Sequence, residues 1–198
     1  MNQKTRPDFT NALVHFTKPR KGNVRHWEFD YQSVNNSSKQ FSSFEVLKEI
    51  FESGTLKGST SSSGYIKGKK RAVCLSEVPL GGIRYFCDKE SKYDFYGVSI
   101  SKQSGFNQGA RPVIYLPDEE NGWVPEDERW RVVRHEPPHV DVSWEREWRV
   151  SEDLDLGEVV GCYFFVWKPE EKKELEQLEF PHNTLRGILC MEHLLNMV

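Results

Sequence analysis

Trp144-Glu145-Arg146-Glu147-Trp148-Arg149-Val150 is the stretch on which the fold turns. Read with a period of two, it puts Trp144, Arg146, Trp148 and Val150 on one face and Glu145, Glu147 and Arg149 on the other. Alternation of this kind predicts a strand, here over 142–150. It stands in the second half of the chain among further strand-like runs, which argues for α+β over a doubly wound α/β sheet.

Upstream, Leu13-Val14-His15-Phe16 is a short strand and Phe44 to Ser53 a helix, apolar at 44, 46, 47, 50 and 51. Ser43 is the expected N-cap of that helix and Gly54 its stop. Ala72 to Leu75 reads as a strand, Val78 to Cys87 as a short helix opened by Pro79, and Tyr96 to Ser101 and Pro112 to Leu116 as strands. Downstream, Val159 to Trp167 reads as a fully buried strand, Pro169 opens an acidic-first helix through Leu178, and Leu185 to Cys190 is the last strand. A single domain over 1–198 is expected, with mobile loops at about 30–43, 54–71 and 118–140.

Composition narrows the function classes. With 27 Lys+Arg against 30 Asp+Glu, the net charge of −3 excludes a polybasic nucleic-acid coat protein. Six Trp, seven Tyr and twelve Phe supply the burial for a core despite a hydrophobic fraction of 37%. No apolar run reaches the length of about 18 residues that a membrane span needs, and the polar start lacks a signal-peptide core. Cys74, Cys87, Cys162 and Cys190 form no CxxC pair, which reads as reduced, buried thiols in a cytoplasmic protein. No glycine-rich phosphate fingerprint follows any strand.

Two loops have opposite charge. Residues 54–71 hold four glycines, four serines and five basic residues with no acid, whereas 118–128 holds six carboxylates. A polarised surface is expected from them, with the basic loop suited to wrap a phosphate. His135-Glu136-Pro137-Pro138-His139 spells HExxH, but two adjacent prolines forbid the helix that would bring both histidines to one zinc ion. An extended loop is expected there.

Three segments carry polar groups in strand-like surroundings. In the first, Leu13, His15 and Thr17 share a face, so His15 and Thr17 either offer paired hydrogen bonds to a sugar or form a buried His satisfied by backbone. In the second, Val73 to Leu80, Ser76 and Glu77 either cap the helix opened by Pro79 or leave Ser76 touching a ligand on which Tyr85 stacks. In the third, Glu145 and Glu147 stand about 7 Å apart on one strand face. That is either an ion-paired edge strand or a carboxylate pair for acid/base or electrostatic work.

Together, His15-Phe16-Thr17, the Val73 to Leu80 segment and Glu145-x-Glu147-Trp148-Arg149 resemble, in segment order, a bacterial family linked to abortive phage infection, the AbiGi type. The layout is also similar to the wider ADP-ribosyltransferase fold, including the DNA-modifying DarT toxins. The resemblance implies a split β-sheet, with short helices in the N-terminal half, holding NAD in a cleft. It implies that His15 and Thr17 bind the nicotinamide-side ribose, that Ser76 lies at the second strand and that Tyr85 stacks near the nicotinamide. Glu147 becomes the catalytic carboxylate, Glu145 orients the acceptor, and Arg71 or another cation of its loop holds the pyrophosphate. The second strand departs from the family's Ser-Thr-Ser pattern, with Cys74-Leu75-Ser76 in its place. The implied partner is a target protein or nucleic acid. Alternatively, as an antitoxin of a two-gene system, the chain binds a partner toxin without catalysis.

Overall fold

The structure, a computed structural model, describes residues 10–21, 40–60, 65–79, 82–84, 87 and 93–195. Among them the protein is mixed α+β. Its centre is a seven-stranded mixed sheet built from β1 (Ala12–Phe16), β5 (Ala72–Ser76), β6 (Gly97–Ser101), β7 (Arg111–Pro112), β10 (Glu147–Ser151), β12 (Cys162–Val166) and β13 (Leu185–Cys190). These lie in the order β13-β12-β6-β1-β5-β10-β7. Shorter strands form three ribbons: β2 (Arg20–Lys21) with β3 (Gln40–Phe41), β4 (Thr55–Leu56) with β11 (Leu154–Asp155), and β8 (Ile114–Leu116) with β9 (Val132–Arg134).

Helices with complete bounds among the described residues are α1 (Ser43–Ser53), α2 (Lys102–Asn107), α3 (Pro169–Glu176) and α4 (Met191–Leu195), and residues 82–84 are also helical. They are not confined to the N-terminal half. The cap of α1 is Ser42 and not Ser43: its Oγ accepts from the Glu45 N–H at 3.2 Å, while Glu45 accepts from the Ser42 N–H at 2.8 Å. Ser43 is thereby free of capping and donates to Asp94. Gly54 closes the helix in the left-handed region at φ 63°.

Two cores sandwich the sheet. On one face Phe44, Leu47, Ile50 and Phe51 of α1 and Leu175 of α3 pack on Leu13, Val73, Leu75, Val98, Val150 and Phe164. On the other, Val78, Ile83, Met191 and Leu195 pack on Val14, Phe16 and Phe165. Alternation along β1 sends its odd residues to the first core and its even ones to the second.

The pairing is uneven. Five registered pairs join β1 to β6, from Ala12–Ser101 to Phe16–Gly97. Five more join β10 to β5, from Glu147–Ser76 to Ser151–Ala72. Between β1 and β5 a single pair, Val14 opposite Ser76, holds the ladder together. The sheet therefore consists of two well-paired halves that part beyond Val14.

The oppositely charged loops touch. Lys67 pairs with Asp118, and Gly68 lies against Arg129 and Glu126. The acidic stretch is two 3-10 turns, Asp118–Trp123 and Glu126–Arg131, with Glu126–Arg129 and Glu128–Arg131 pairs on the second. Among the described residues, 54–71 holds β4 and a Ser59–Ala72 bridge and 118–140 holds the two 3-10 turns, β9 and a Glu136–Val140 bridge, while 22–39 and 61–64 fall outside the described residues. The HExxH stretch is not helical, but in place of the expected extended loop it forms a turn closed by a Glu136–Val140 bridge. Among the described residues no helix is long and apolar enough to cross a membrane.

Candidate functional site

The candidate site lies where the sheet halves part. The Val14–Ser76 and Ser76–Glu147 pairs place residues of β1, β5 and β10 side by side. Two strand spacings put His15 about 10 Å from Glu147 along the backbone. In pleat terms Val14, Ser76 and Glu147 share a row, and His15 belongs to the neighbouring one.

His15 and Glu147 each act on Cys74, His15 on its backbone carbonyl and Glu147 on its thiol. The His15 Nδ1 lies 2.9 Å from the carbonyl oxygen of Cys74. A carbonyl only accepts, so Nδ1 carries the proton and Nε2 offers a lone pair. Burial, opposed by that hydrogen bond and aided by the charge of Lys18, holds the imidazole below its ordinary pKa, so it is neutral at neutral pH. On the other side of Cys74, burial and then the Glu147 carboxylate push the thiol up to about 12. The Cys74 thiol is thus protonated at neutral pH.

Glu147 is 11% exposed and Arg149 3%. Arg149 Nε donates to Glu147 Oε1 at 2.8 Å, and its Nη1 donates to the carbonyls of Trp130 at 2.7 Å and Val132 at 3.3 Å. Burial works against the guanidinium charge, but Glu147 and Cys74 together more than offset it, leaving Arg149 above its ordinary pKa. The carboxylate is therefore a fixed anion, oriented from the side of the 126–134 segment.

Glu145 is not in the strand. Asp141 accepts from the Ser143 N–H at 3.0 Å and the Ser143 hydroxyl at 2.6 Å, which bends the chain into a 3-10 turn over 143–145. Arg146 then reverses it at φ 45°, and β10 begins only at Glu147. The expected strand over 142–150 loses its first half to this turn, and with it the expected seating of both glutamates on one strand face. Glu145 still comes back to the site by another route. It is buried and accepts from the Tyr93 hydroxyl at 3.1 Å.

Of the other expected residues, Ser76 is buried opposite Glu147. Thr17 is also buried, with its hydroxyl on the carbonyls of Ser43 at 2.9 Å and Tyr96 at 3.3 Å, so its proton is committed to the fold. Arg71 precedes β5 at the end away from Ser76, about 17 Å along the strand. It is spent on Glu152 at 3.5 Å and Asp153 at 3.4 Å, and the structure does not bring it to the others. Tyr85 lies outside the described residues.

Sequence reasoning missed Tyr93, Lys18 and Cys74. The Lys18 Nζ stands 4.4 Å from the Tyr93 ring centroid, and that ring packs on Phe16 at 5.6 Å. Lys18 had a signal, its position directly after His15-Phe16-Thr17; Tyr93, in a stretch without periodicity, had none. A cavity of about 240 Å³ lined by Asn11, Lys102, Gln103, Phe106 and Trp148 holds none of the candidate residues. Among the described residues no group of three His, Cys, Asp or Glu could hold a metal ion. No family model, curated protein or solved structure matches the chain.

Proposed function

We propose that the protein is an ADP-ribosyltransferase-like protein of a phage-defence or toxin–antitoxin system, which takes NAD as substrate and transfers ADP-ribose to a protein or nucleic acid through Glu147. The observation that carries this reading is that His15 and Glu147 both act on Cys74, one on its carbonyl and the other on its thiol, at the parting of a sheet split between β1 and β5.

In the reaction, the bond from the ribose anomeric carbon to the nicotinamide nitrogen breaks, and nicotinamide leaves with the electron pair. Positive charge then grows on the ribose, and the Glu147 carboxylate stabilises it as a fixed anion. The neutral His15 accepts a ribose hydroxyl on Nε2. An acceptor nucleophile bonds to the anomeric carbon and gives up its proton to solvent water, and Glu145, linked to Tyr93, faces that acceptor. Thr17 serves as scaffold, since its hydroxyl is already engaged.

One observation favours a second reading, a non-catalytic antitoxin or regulator that binds a partner toxin or nucleic acid. The Glu147 charge is already matched by Arg149 at 2.8 Å, which weakens it as an electrostatic catalyst. Glu147→Gln separates the two. Under the transferase reading it abolishes transfer from labelled NAD to lysate acceptors while NAD still binds by calorimetry. A Glu147→Gln protein with its full biological effect would overturn catalysis and leave the binding role.

A further inference from the structure

We infer that the cavity between β1, α2 and β10 binds one nucleobase with its phosphate, at a site separate from Glu147. The inference goes beyond the transferase reading and does not depend on it.

The first support is where the cavity lies. It is lined by Asn11, Lys102, Gln103, Phe106 and Trp148. Trp148 packs on the core that holds Leu13 and Leu75. Glu147 shares its row with Ser76 and Val14, and Val14 belongs to the core on the other face. Neighbours on a strand point to opposite faces, so the cavity and Glu147 are on opposite sides of the sheet. Its volume of about 240 Å³ lies below the ~300–1,000 Å³ of pockets for drug-sized ligands. It has room for one ring system and not for a whole dinucleotide.

The second is that its walls are fixed. Trp148 Nε1 donates to Glu77 Oε2 at 3.1 Å, which holds the indole by its N–H. The Lys102 ammonium stands 2.7 Å from Glu77 Oε1 and 5.8 Å from the Trp148 ring centroid. Helix α2 carries Gln103 and Phe106 and lies close against the sheet, because a Cβ at Gly105 would stand 2.8 Å from Leu13 Cδ1. The Ser104 hydroxyl accepts from the Val160 N–H at 2.9 Å, and the Lys102 N–H donates to the Asn11 carbonyl at 2.6 Å.

The third is chemistry. Phe106, 48% exposed, and Trp148 offer ring surface on which a flat base stacks. The Asn11 and Gln103 amides carry both donors and acceptors, the groups that pair with a base edge. An aromatic peptide side chain would use the rings but set carbon against the amides, which costs them their hydrogen bonds to water. At the rim, Arg111 holds its guanidinium 4.1 Å from the centre of the Phe106 ring and donates to the carbonyls of Phe106 at 3.0 Å and Ala110 at 2.7 Å. Those partners are neutral, so positive charge stands beside the stacking ring, where it meets the phosphate of a bound nucleotide.

The test follows the Trp148 indole N–H and the Asn11 and Gln103 side-chain amides by heteronuclear NMR of the full chain, without NAD. The probes are AMP, adenosine, short oligo(dA) and oligo(A) strands, and N-acetyltyrosinamide. Adenine is chosen because an Asn or Gln amide matches its edge with two bonds. AMP is expected to move all three signals and to bind more tightly than adenosine, by a margin that shrinks as salt is raised. Phe106 is half exposed, so Phe106→Ala and Phe106→Tyr keep the wild-type circular dichroism. Phe106→Ala is expected to weaken AMP about tenfold, the scale of one lost base stack, and Phe106→Tyr to stay within about threefold. Strands that bind more tightly than AMP make single-stranded nucleic acid the source of the base, with the deoxy and ribo arms telling which; AMP that binds as tightly as the strands makes it a free nucleotide. Either result supports the site. If N-acetyltyrosinamide moves the signals as strongly as adenosine, the cavity is a general slot for aromatic side chains and the base assignment is overturned. No shift with any nucleotide, or shifts confined to His15 and its neighbours, also overturns it and leaves the Glu147 reading untouched. A chain that responds to AMP at the cavity but transfers no ADP-ribose loses the transferase reading alone.

Discussion

Arg149→Met removes the cation 2.8 Å from a nearly buried carboxylate while keeping most of the side-chain volume. In the wild type the guanidinium, 3% exposed, satisfies Glu147 and the carbonyls of Trp130 and Val132. The variant leaves Glu147 without its cation and two acceptors without this donor. Breaking a buried pair from one side costs about 3–5 kcal/mol, a large share of the ~5–15 kcal/mol that holds a domain folded. For a chain of this size that is a fall in Tm of roughly 10 °C or more. Urea unfolding monitored by Trp fluorescence measures it. The double variant Glu147→Gln/Arg149→Met is expected to recover part of the loss, with a coupling of about 2 kcal/mol in the double-mutant cycle. If Arg149→Met lies within about 1 kcal/mol of wild type and the cycle shows no coupling, the pair behaves as a solvated one. The orientation of Glu147 by the 126–134 segment would then be wrong.

Gly97→Ala places a Cβ 2.2 Å from the His15 carbonyl oxygen and 2.6 Å from the Phe165 ring, so the variant is expected to lose about 3 kcal/mol in urea; wild-type stability would show that β1 and β6 are less closely apposed. Glu136 is held down to about 2, first by Arg134 and then by the Asp118 N–H, against 4.5 unperturbed. Its contacts are therefore complete above pH about 4.5 and lost as pH falls through about 2. The Asp118 amide shift in NMR should titrate near the lower value, and a midpoint near the upper one would show that the contact is absent. Burial pushes Cys74 and Cys87 up to about 12 and Cys162 to about 11. At pH 8 these thiols should resist iodoacetamide until denaturant is added; rapid native labelling of Cys74 would show an open site.

Elements with an unambiguous period were legible in the sequence. Phe44, Leu47, Ile50 and Phe51 give α1 its buried stripe, and Cys162, Phe164, Phe165 and Val166 mark the interior of β12. Where local polar chemistry outweighs period, reading fails. The Asp141–Ser143 hydrogen bonds convert half of an apparent strand into a turn, and Lys102–Asn107 forms a helix capped by Ser101 from residues with no apolar repeat. Long-range events leave no local trace. The Lys67–Asp118 pair spans 51 positions, so two loops that look like opposite poles neutralise each other. The site follows the same rule. The strands that carry His15, Ser76 and Glu147 are neighbours, whereas Arg71 stands nearly the length of β5 away from Ser76, and Tyr93 arrives by tertiary packing alone.

The single Val14–Ser76 pair also has a mechanical meaning. Each half of the sheet is stiffened by ladders of directional hydrogen bonds. Across the seam the halves are joined chiefly by the apolar core shared by Leu13, Val98, Leu75 and Val150 and by the ring of His15. Apolar contact is non-directional and resists tilting weakly compared with a ladder. The seam is therefore the compliant line of the molecule: one half can rock against the other and change the width of the gap while each keeps its own ladders intact.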